Sequence, residues 1–287
     1  MKTAKKISPT RKKTPYTFVV DVGNTHTVLG IYKGDEIEDH WRLTTRKETT
    51  SDEVLNRVGG LIRFSKIKPE EISYVGLSTV VPVLERPWVK ALQKLLKKPV
   101  QVVNSNNCLD CPIAYLNPAS LGADRLCNII SLRDRGYSDA IVIDMGTATT
   151  FDVMKNGGFE GGLIIPGISA SMDVLTEKAA RLKPVSIEWS DRIVANNTDD
   201  AIRAGLLYGF IAELEALVKK IKQELGKKDV PVFATGGWGR MVLGHSDVID
   251  TYDPYLTVNG VRLVAMYGNK AVEIDRAKKE QRRKETL

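Results

Sequence analysis

Phe18-Val19-Val20-Asp21-Val22-Gly23-Asn24-Thr25-His26-Thr27-Val28 is an apolar strand running into a polar glycine turn. Ile141-Val142-Ile143-Asp144-Met145-Gly146-Thr147-Ala148-Thr149-Thr150-Phe151 repeats the pattern 123 residues later. Each stretch is an apolar triplet, Asp, one apolar residue, Gly, Asn or Thr, and a Thr three positions beyond. The parallel extends past both turns. Val28 to Tyr32 alternates and meets a turn at Lys33-Gly34-Asp35, and Phe151 to Met154 alternates before Lys155-Asn156-Gly157-Gly158. Alternation closed by Gly, Asn and Asp predicts a β-hairpin in each half.

Outward from these turns, Glu36 to Leu43 predicts a third strand. Thr50-Ser51-Asp52-Glu53 has capping-box spacing and opens a helix to about Phe64. Strands follow at Val75 to Thr79 and Val100 to Val103, with a helix over Pro87 to Leu96 between them. In the second half, Asn197-Thr198-Asp199-Asp200 opens a long helix to Leu225, and Val232 to Thr235 is a strand ending in Gly236-Gly237. The expected architecture is α/β, with two duplicated halves, 16–135 and 136–269, facing each other across a central cleft. Basic tails, 1–15 and 270–287, flank them. Ligands of such an architecture sit between the halves.

The 287 residues are 43% hydrophobic and 27% charged, which excludes a mostly disordered chain. No apolar run is long enough for a transmembrane helix, and the basic N-terminus lacks the apolar stretch of a secretory signal. Three cysteines build no disulfide framework, so a cytoplasmic protein is expected. The net charge of +7 resides at the ends. Residues 1–15 carry six Lys/Arg and no acid, and 270–287 carry seven against four, which leaves the body at −2. Nucleic-acid binding is not expected, because a binder carries its basic face within the folded body. Solvated tails are the simpler expectation.

The two turns carry the candidate chemistry. A glycine turn with hydroxyl side chains brings backbone N–H groups and hydroxyls close to phosphate oxygens. An Asp at the end of the strand before such a turn suits Mg²⁺, held directly or through water. Two turns in register would grip a polyphosphate from both sides, whereas either turn alone reads equally as a plain hairpin. No G-x-x-x-x-G-K-[ST] loop and no G-x-G-x-x-G is present. Between the turns, Tyr115-Leu116-Asn117-Pro118 leads through Gly122-Ala123-Asp124-Arg125 into a helix over Leu126 to Leu132. Asp124 at that helix start is a candidate general base for an alcohol, and Arg125 a candidate anion holder. An ordinary Asp/Arg surface pair is the alternative. Gly161-Gly162-Leu163-Ile164-Ile165-Pro166-Gly167 reads either as a strand–turn–helix junction or as a wall of the cleft.

Taken in order, DVGNTHTV, STVVP, YLNP…GADR, DMGTATTFD, GGLIIPG, ATGG and DPYLTVNG resemble type III pantothenate kinases from about residue 16 to residue 268. The resemblance implies an actin-like ATPase and sugar-kinase (ribonuclease H-like) fold. It also implies ATP-dependent phosphorylation of pantothenate, the first step towards coenzyme A. Mg²⁺ or another divalent cation, K⁺ or NH₄⁺, and a homodimer are implied with it. By the same resemblance the first phosphate loop comprises Asp21, Val22, Gly23, Asn24, Thr25, His26, Thr27 and Val28, with Asp21 near the divalent ion. Asp124 is the base, and Tyr115, Gly122, Ala123, Asp124, Arg125 and Thr198 form the pantothenate site, completed at the dimer interface. Asp144 takes the monovalent cation and Thr147 contacts ATP.

Three departures stand out: His26 replaces a usual Asn, Met145 replaces a usual Phe, and Trp238-Gly239-Arg240 follows ATGG. Cys108-Leu109-Asp110-Cys111 lacks a second ligand pair for zinc and reads as ordinary loop cysteines. His40 and His245 read as structural or exposed. Two other functions fit the same fold. A non-enzymatic transcriptional accessory protein has no need of Asp21, Asp124, Arg125, Asp144 and Thr147 together. A sugar or acetate kinase has no need of Tyr115 with Gly122 to Arg125.

Overall fold

The computed structural model describes residues 14–179, 181–189 and 191–268, so nearly all of both basic tails lies outside the described residues. The first sheet takes β1 (Tyr16–Val22), β2 (His26–Lys33), β3 (Glu36–Thr44), β4 (Ile72–Thr79) and β5 (Val100–Val102) in the order β3-β2-β1-β4-β5. The second takes β6 (Ala140–Met145), β7 (Ala148–Lys155), β8 (Gly158–Pro166), β9 (Val232–Thr235) and β10 (Thr251–Tyr252) in the order β10-β9-β6-β7-β8. Substituting β6 for β1, β7 for β2 and so on turns one order into the other. Pairing matches as well: two antiparallel hairpins and then two parallel partners in each sheet. The duplication expected from the two turns is therefore complete.

Each sheet buries both faces. Alternation sends Phe18, Val20 and Val22 outward onto α1 (Ser51–Phe64) and α2 (Pro82–Leu96). Ile141, Ile143 and Met145 likewise face α5 (Thr198–Glu224). The opposite faces, with Val19, Val142 and Met154, meet in a shared inner core. There α3 (Ala123–Asp134) and a last helix, α7, over residues 256–268 fill the space between the sheets. This explains why α3 is buried nearly all round, with Leu126, Cys127, Ile129, Ile130 and Leu132 in the core and Arg125, Asn128 and Ser131 buried beside them. The same alternation puts Asp21, Ser78 and Asp144 on the inner faces near the ends of their strands, and Asp152 on the inner face in the middle of β7.

Several expectations shift. The helix placed at Pro87 begins a turn earlier, at Pro82, with Pro87 inside it. Pro82 suits the first helical position because it has no N–H to leave unbonded there. Helix α4 (Ile168–Lys178), α6 (Gly239–Leu243), β10 and α7 carried no clear periodic signal. Cys108 and Cys111 sit in a loop but are buried in the inner core, and burial raises both thiols above their usual pKa. His40 packs edge-on against Tyr255, and His245 stacks on Trp189 at 3.5 Å.

Candidate active site

The two glycine turns meet tip to tip. Thr25 Oγ1 and Thr147 Oγ1 are 2.7 Å apart and share a hydrogen bond between the halves. Each turn is closed by its own backbone, Gly23 N donating to His26 O and Gly146 N to Ala148 O. Asn24, Thr25, His26 and Thr147 are exposed at the tips, while Val22 and Thr27 are buried behind them.

Behind the tips lies a pool of carboxylates. Burial, with Asp124 nearby, pushes Asp21 from 3.8 up to about 7. Burial and the charges of Asp124, Asp152 and Asp21 push Asp144 up to about 8. Asp124 at the start of α3 is also raised by burial, although it accepts from the backbone N–H of Arg125 at 2.7 Å. Ser78 hydrogen-bonds the side chain of Asp21, and the hydroxyls of Thr149 and Thr150 are buried without a hydrogen-bond partner. Asp21 and Asp144, raised by burial and by neighbouring carboxylates, beside unpartnered oxygens, fit a site for cations. Among the described residues no three His, Cys, Asp or Glu side chains converge as a metal cage.

Arg125 is not a surface residue. It is 5% exposed, and its Nε donates to Asp152 Oδ1 at 2.5 Å while one terminal nitrogen donates to Phe151 O at 3.1 Å. The Asp124/Arg125 surface-pair alternative is thereby excluded. Gly162 leaves room for this: a Cβ there would stand 1.7 Å from Phe151 O and 2.7 Å from the Arg125 guanidinium. Phe159 on β8 joins Arg125 to Tyr115, with the guanidinium over its ring at 5.2 Å and Tyr115 edge-on at 5.7 Å. Gly122 caps α3 and Ala123 is buried beneath it. Thr198 is exposed at the first position of α5, capped by Asn197, whose side chain accepts from Asp200 N at 2.9 Å. Among the described residues no hydrogen bond or ion pair joins Thr198 to this cluster. A cavity of about 690 Å³ between α1 and α2, lined by Leu55, Arg63, Lys66 and Leu95, lies apart from these groups.

Sequence reasoning missed Asp152, Asn128 and Phe159. Asp152 had a signal, since a lone carboxylate stands in the apolar run Phe151-Asp152-Val153-Met154. Phe159 and Asn128 had none, because their importance depends on which strand and helix come to lie beside them.

Two sheets of one strand order, with Asp-Gly turns meeting between them, define a duplicated actin-like ATPase and sugar-kinase fold. A Streptococcus pneumoniae ROK family protein solved with sucrose superposes with a TM-score of 0.50 at 14% identity, covering 89% of this chain and 99% of that one. A Campylobacter jejuni protein assigned to the Baf family of transcriptional activators reaches 0.55 at 19% identity, over 88% of this chain and 99% of that one. At such identities both likenesses bear on fold alone. The sequence profile described as type III pantothenate kinase matches residues 17–220, and the chain belongs to that family. The type III pantothenate kinase of Acidothermus cellulolyticus is 37% identical over 248 residues, covering 86% of this chain and 96% of its own. That of Myxococcus xanthus is 36% identical over 246 residues, covering 85% and 96%. No helix among the described residues is long and apolar enough to cross a membrane.

Proposed function

We propose that the protein transfers the γ-phosphoryl group of ATP to the primary hydroxyl of pantothenate, the first step towards coenzyme A. The observation that carries this is the meeting of Thr25 and Thr147 at 2.7 Å with the half-buried Asp124 close behind, its pKa raised by desolvation. The turns offer backbone N–H groups and hydroxyls to the phosphates from both halves. Asp124 takes the proton of the attacking hydroxyl, and its raised pKa makes it a stronger base. The hydroxyl oxygen bonds to the γ-phosphorus, the bond to the β,γ-bridging oxygen breaks, and ADP leaves. Asp21 is the residue suited to hold a divalent cation, which would neutralise phosphate charge when bound. Asp144 suits K⁺ or NH₄⁺. Arg125 keeps a free N–H edge beyond its two internal bonds, which suits the substrate carboxylate. Tyr115, packed on the same Phe159, lines that side.

A homodimer is part of this proposal. Leu163, Ile164, Val174, Leu175, Ile193 and Val194 are exposed, and all belong to β8, α4 and the connection into α5. Covering them with a second copy would bring the exposed Thr198 of one subunit towards the other's substrate. The division near residue 135 separates the parts that close on the nucleotide.

A coupled assay of ADP release with ATP, Mg²⁺ and K⁺, with and without pantothenate, tests the reaction. Pantothenate-dependent release is expected, falling steeply when Na⁺ replaces K⁺. Release that ignores pantothenate would overturn the proposal, and full activity in Na⁺ would remove the monovalent-cation role.

A further inference from the structure

The last motif, DPYLTVNG, has no part in the chemistry above, yet it reaches the site through a buried polar chain. Arg125, Asn128 and Ser131 lie three residues apart along α3, and all three are buried. They form one polar stripe among the buried apolar residues of the helix. Every member of the stripe has a partner. Asp152 accepts from Arg125 Nε at 2.5 Å through Oδ1, and from Asn128 Nδ2 at 3.0 Å through Oδ2. Thr257 Oγ1 donates to Asn128 Oδ1 at 2.8 Å, and Asn259 Nδ2 to Ser131 Oγ at 2.7 Å. Gly260 allows this approach: a Cβ there would stand 2.2 Å from Cys127 O. Arg135, just past the end of α3, pairs with Asp253 at the start of the same motif at 2.5 Å.

A buried carboxylate is retained only where its oxygens are satisfied, and here both are satisfied by α3. The guanidinium of Arg125 is planar, so fixing Nε and one terminal nitrogen fixes the whole plane. Its remaining N–H edge is thereby aimed in one direction. Asp152 in turn is held by Asn128, whose amide is oriented by Thr257.

We propose that Asp152 is a positioning residue for substrate binding, aiming Arg125 through a hydrogen-bond chain that begins at Thr257 on α7. This rests on the assignment of Arg125 to pantothenate given above. The last helix thus contributes to substrate affinity without touching substrate. In metal sites, partners that orient a ligating side chain change affinity or activity by about 10- to 100-fold when mutated, and an effect of that order is expected here.

The test is steady-state kinetics of the full chain with both substrates varied. Asp152→Asn keeps the shape and removes the charge; it is expected to raise KM for pantothenate about tenfold or more while leaving KM for ATP within about twofold. Thr257→Val is nearly isosteric and breaks the far end of the chain. It is expected to raise pantothenate KM by a smaller factor, again with ATP KM unmoved, and it keeps the test alive if Asp152→Asn does not fold. In an Arg125→Ala background, Asp152→Asn is expected to add nothing further to pantothenate KM. Equal loss for both substrates, or full additivity with Arg125→Ala, would show a general structural role and overturn the proposal. An unchanged pantothenate KM in Asp152→Asn, while Arg125→Ala raises it, would overturn the proposal alone. An unchanged KM in Arg125→Ala would overturn the assignment of Arg125 and the proposal with it.

Discussion

Asp124 combines three properties that seldom coincide: a helix start, a half-buried carboxylate and a pKa raised by desolvation. Removing its proton affinity while keeping its shape isolates the chemistry. Asp124→Asn is expected to lower kcat by about 10²- to 10⁴-fold, with circular dichroism and melting temperature close to the parent. A parent-like kcat would remove it as base. Asp21 and Asp144 make a separate prediction about stability. Their folded-state pKa values, about 7 and about 8, lie above the usual 3.8. Between these limits the folded chain holds protons that the unfolded chain has released. The stability they contribute is therefore full below about pH 4 and is lost as pH rises through about 7 and 8. In chelator-treated, K⁺-free protein, thermal melting should fall from pH 5 to pH 8, and Asp144→Asn should flatten the slope. An identical slope in that variant would disprove the link. Three of the four acids, Asp21, Asp124 and Asp144, were visible in sequence. That Asp124 raises Asp21, and that Asp124, Asp152 and Asp21 raise Asp144, was not, because it depends on separate elements converging.

The elements that obeyed local rules were the ones that sequence located well. Thr50 and Glu53 form a complete capping box, Glu53 Oε2 accepting from Thr50 N at 2.7 Å and Thr50 Oγ1 accepting from Glu53 N at 3.3 Å. The helix it opens runs from Ser51 to Phe64, as expected. Thr50→Ala should cost about 1 kcal/mol in urea unfolding without altering kcat; a change below about 0.3 kcal/mol would mean that packing alone defines that helix start. Hairpin turns at Gly34-Asp35 and Asn156-Gly157 were equally local, each with residues at positive φ. By contrast α4 and α7 have little local signal, because what stabilises them is a face supplied from elsewhere, helix α5 for α4 and the inner core between the sheets for α7. The apolar run of GGLIIPG shows the same limit. It forms β8, at the edge of its sheet, where Ile164 is 62% exposed.

Exposed apolar groups on β8 and before α5 concern the assembly. Ile164→Asp and Val194→Asp, each at a side chain exposed in the single chain, should yield folded monomers with little pantothenate-dependent ADP release. Sedimentation equilibrium with the coupled assay checks this, and a fully active monomeric parent would sink it. Across the molecule, sequence alone was enough for the duplication, the two Asp-Gly turns, the GADR helix start and the family. Each of these is written in contiguous residues, where strand alternation, turn chemistry and capping act over a few positions. Tertiary structure decided what those residues face. It buried Arg125 against Asp152, brought Thr25 to Thr147 and tied α7 to α3 through Thr257 and Asn259. These contacts join residues from 27 to 129 positions apart. No local preference encodes such pairings, because they arise only once two sheets have closed on a shared inner core.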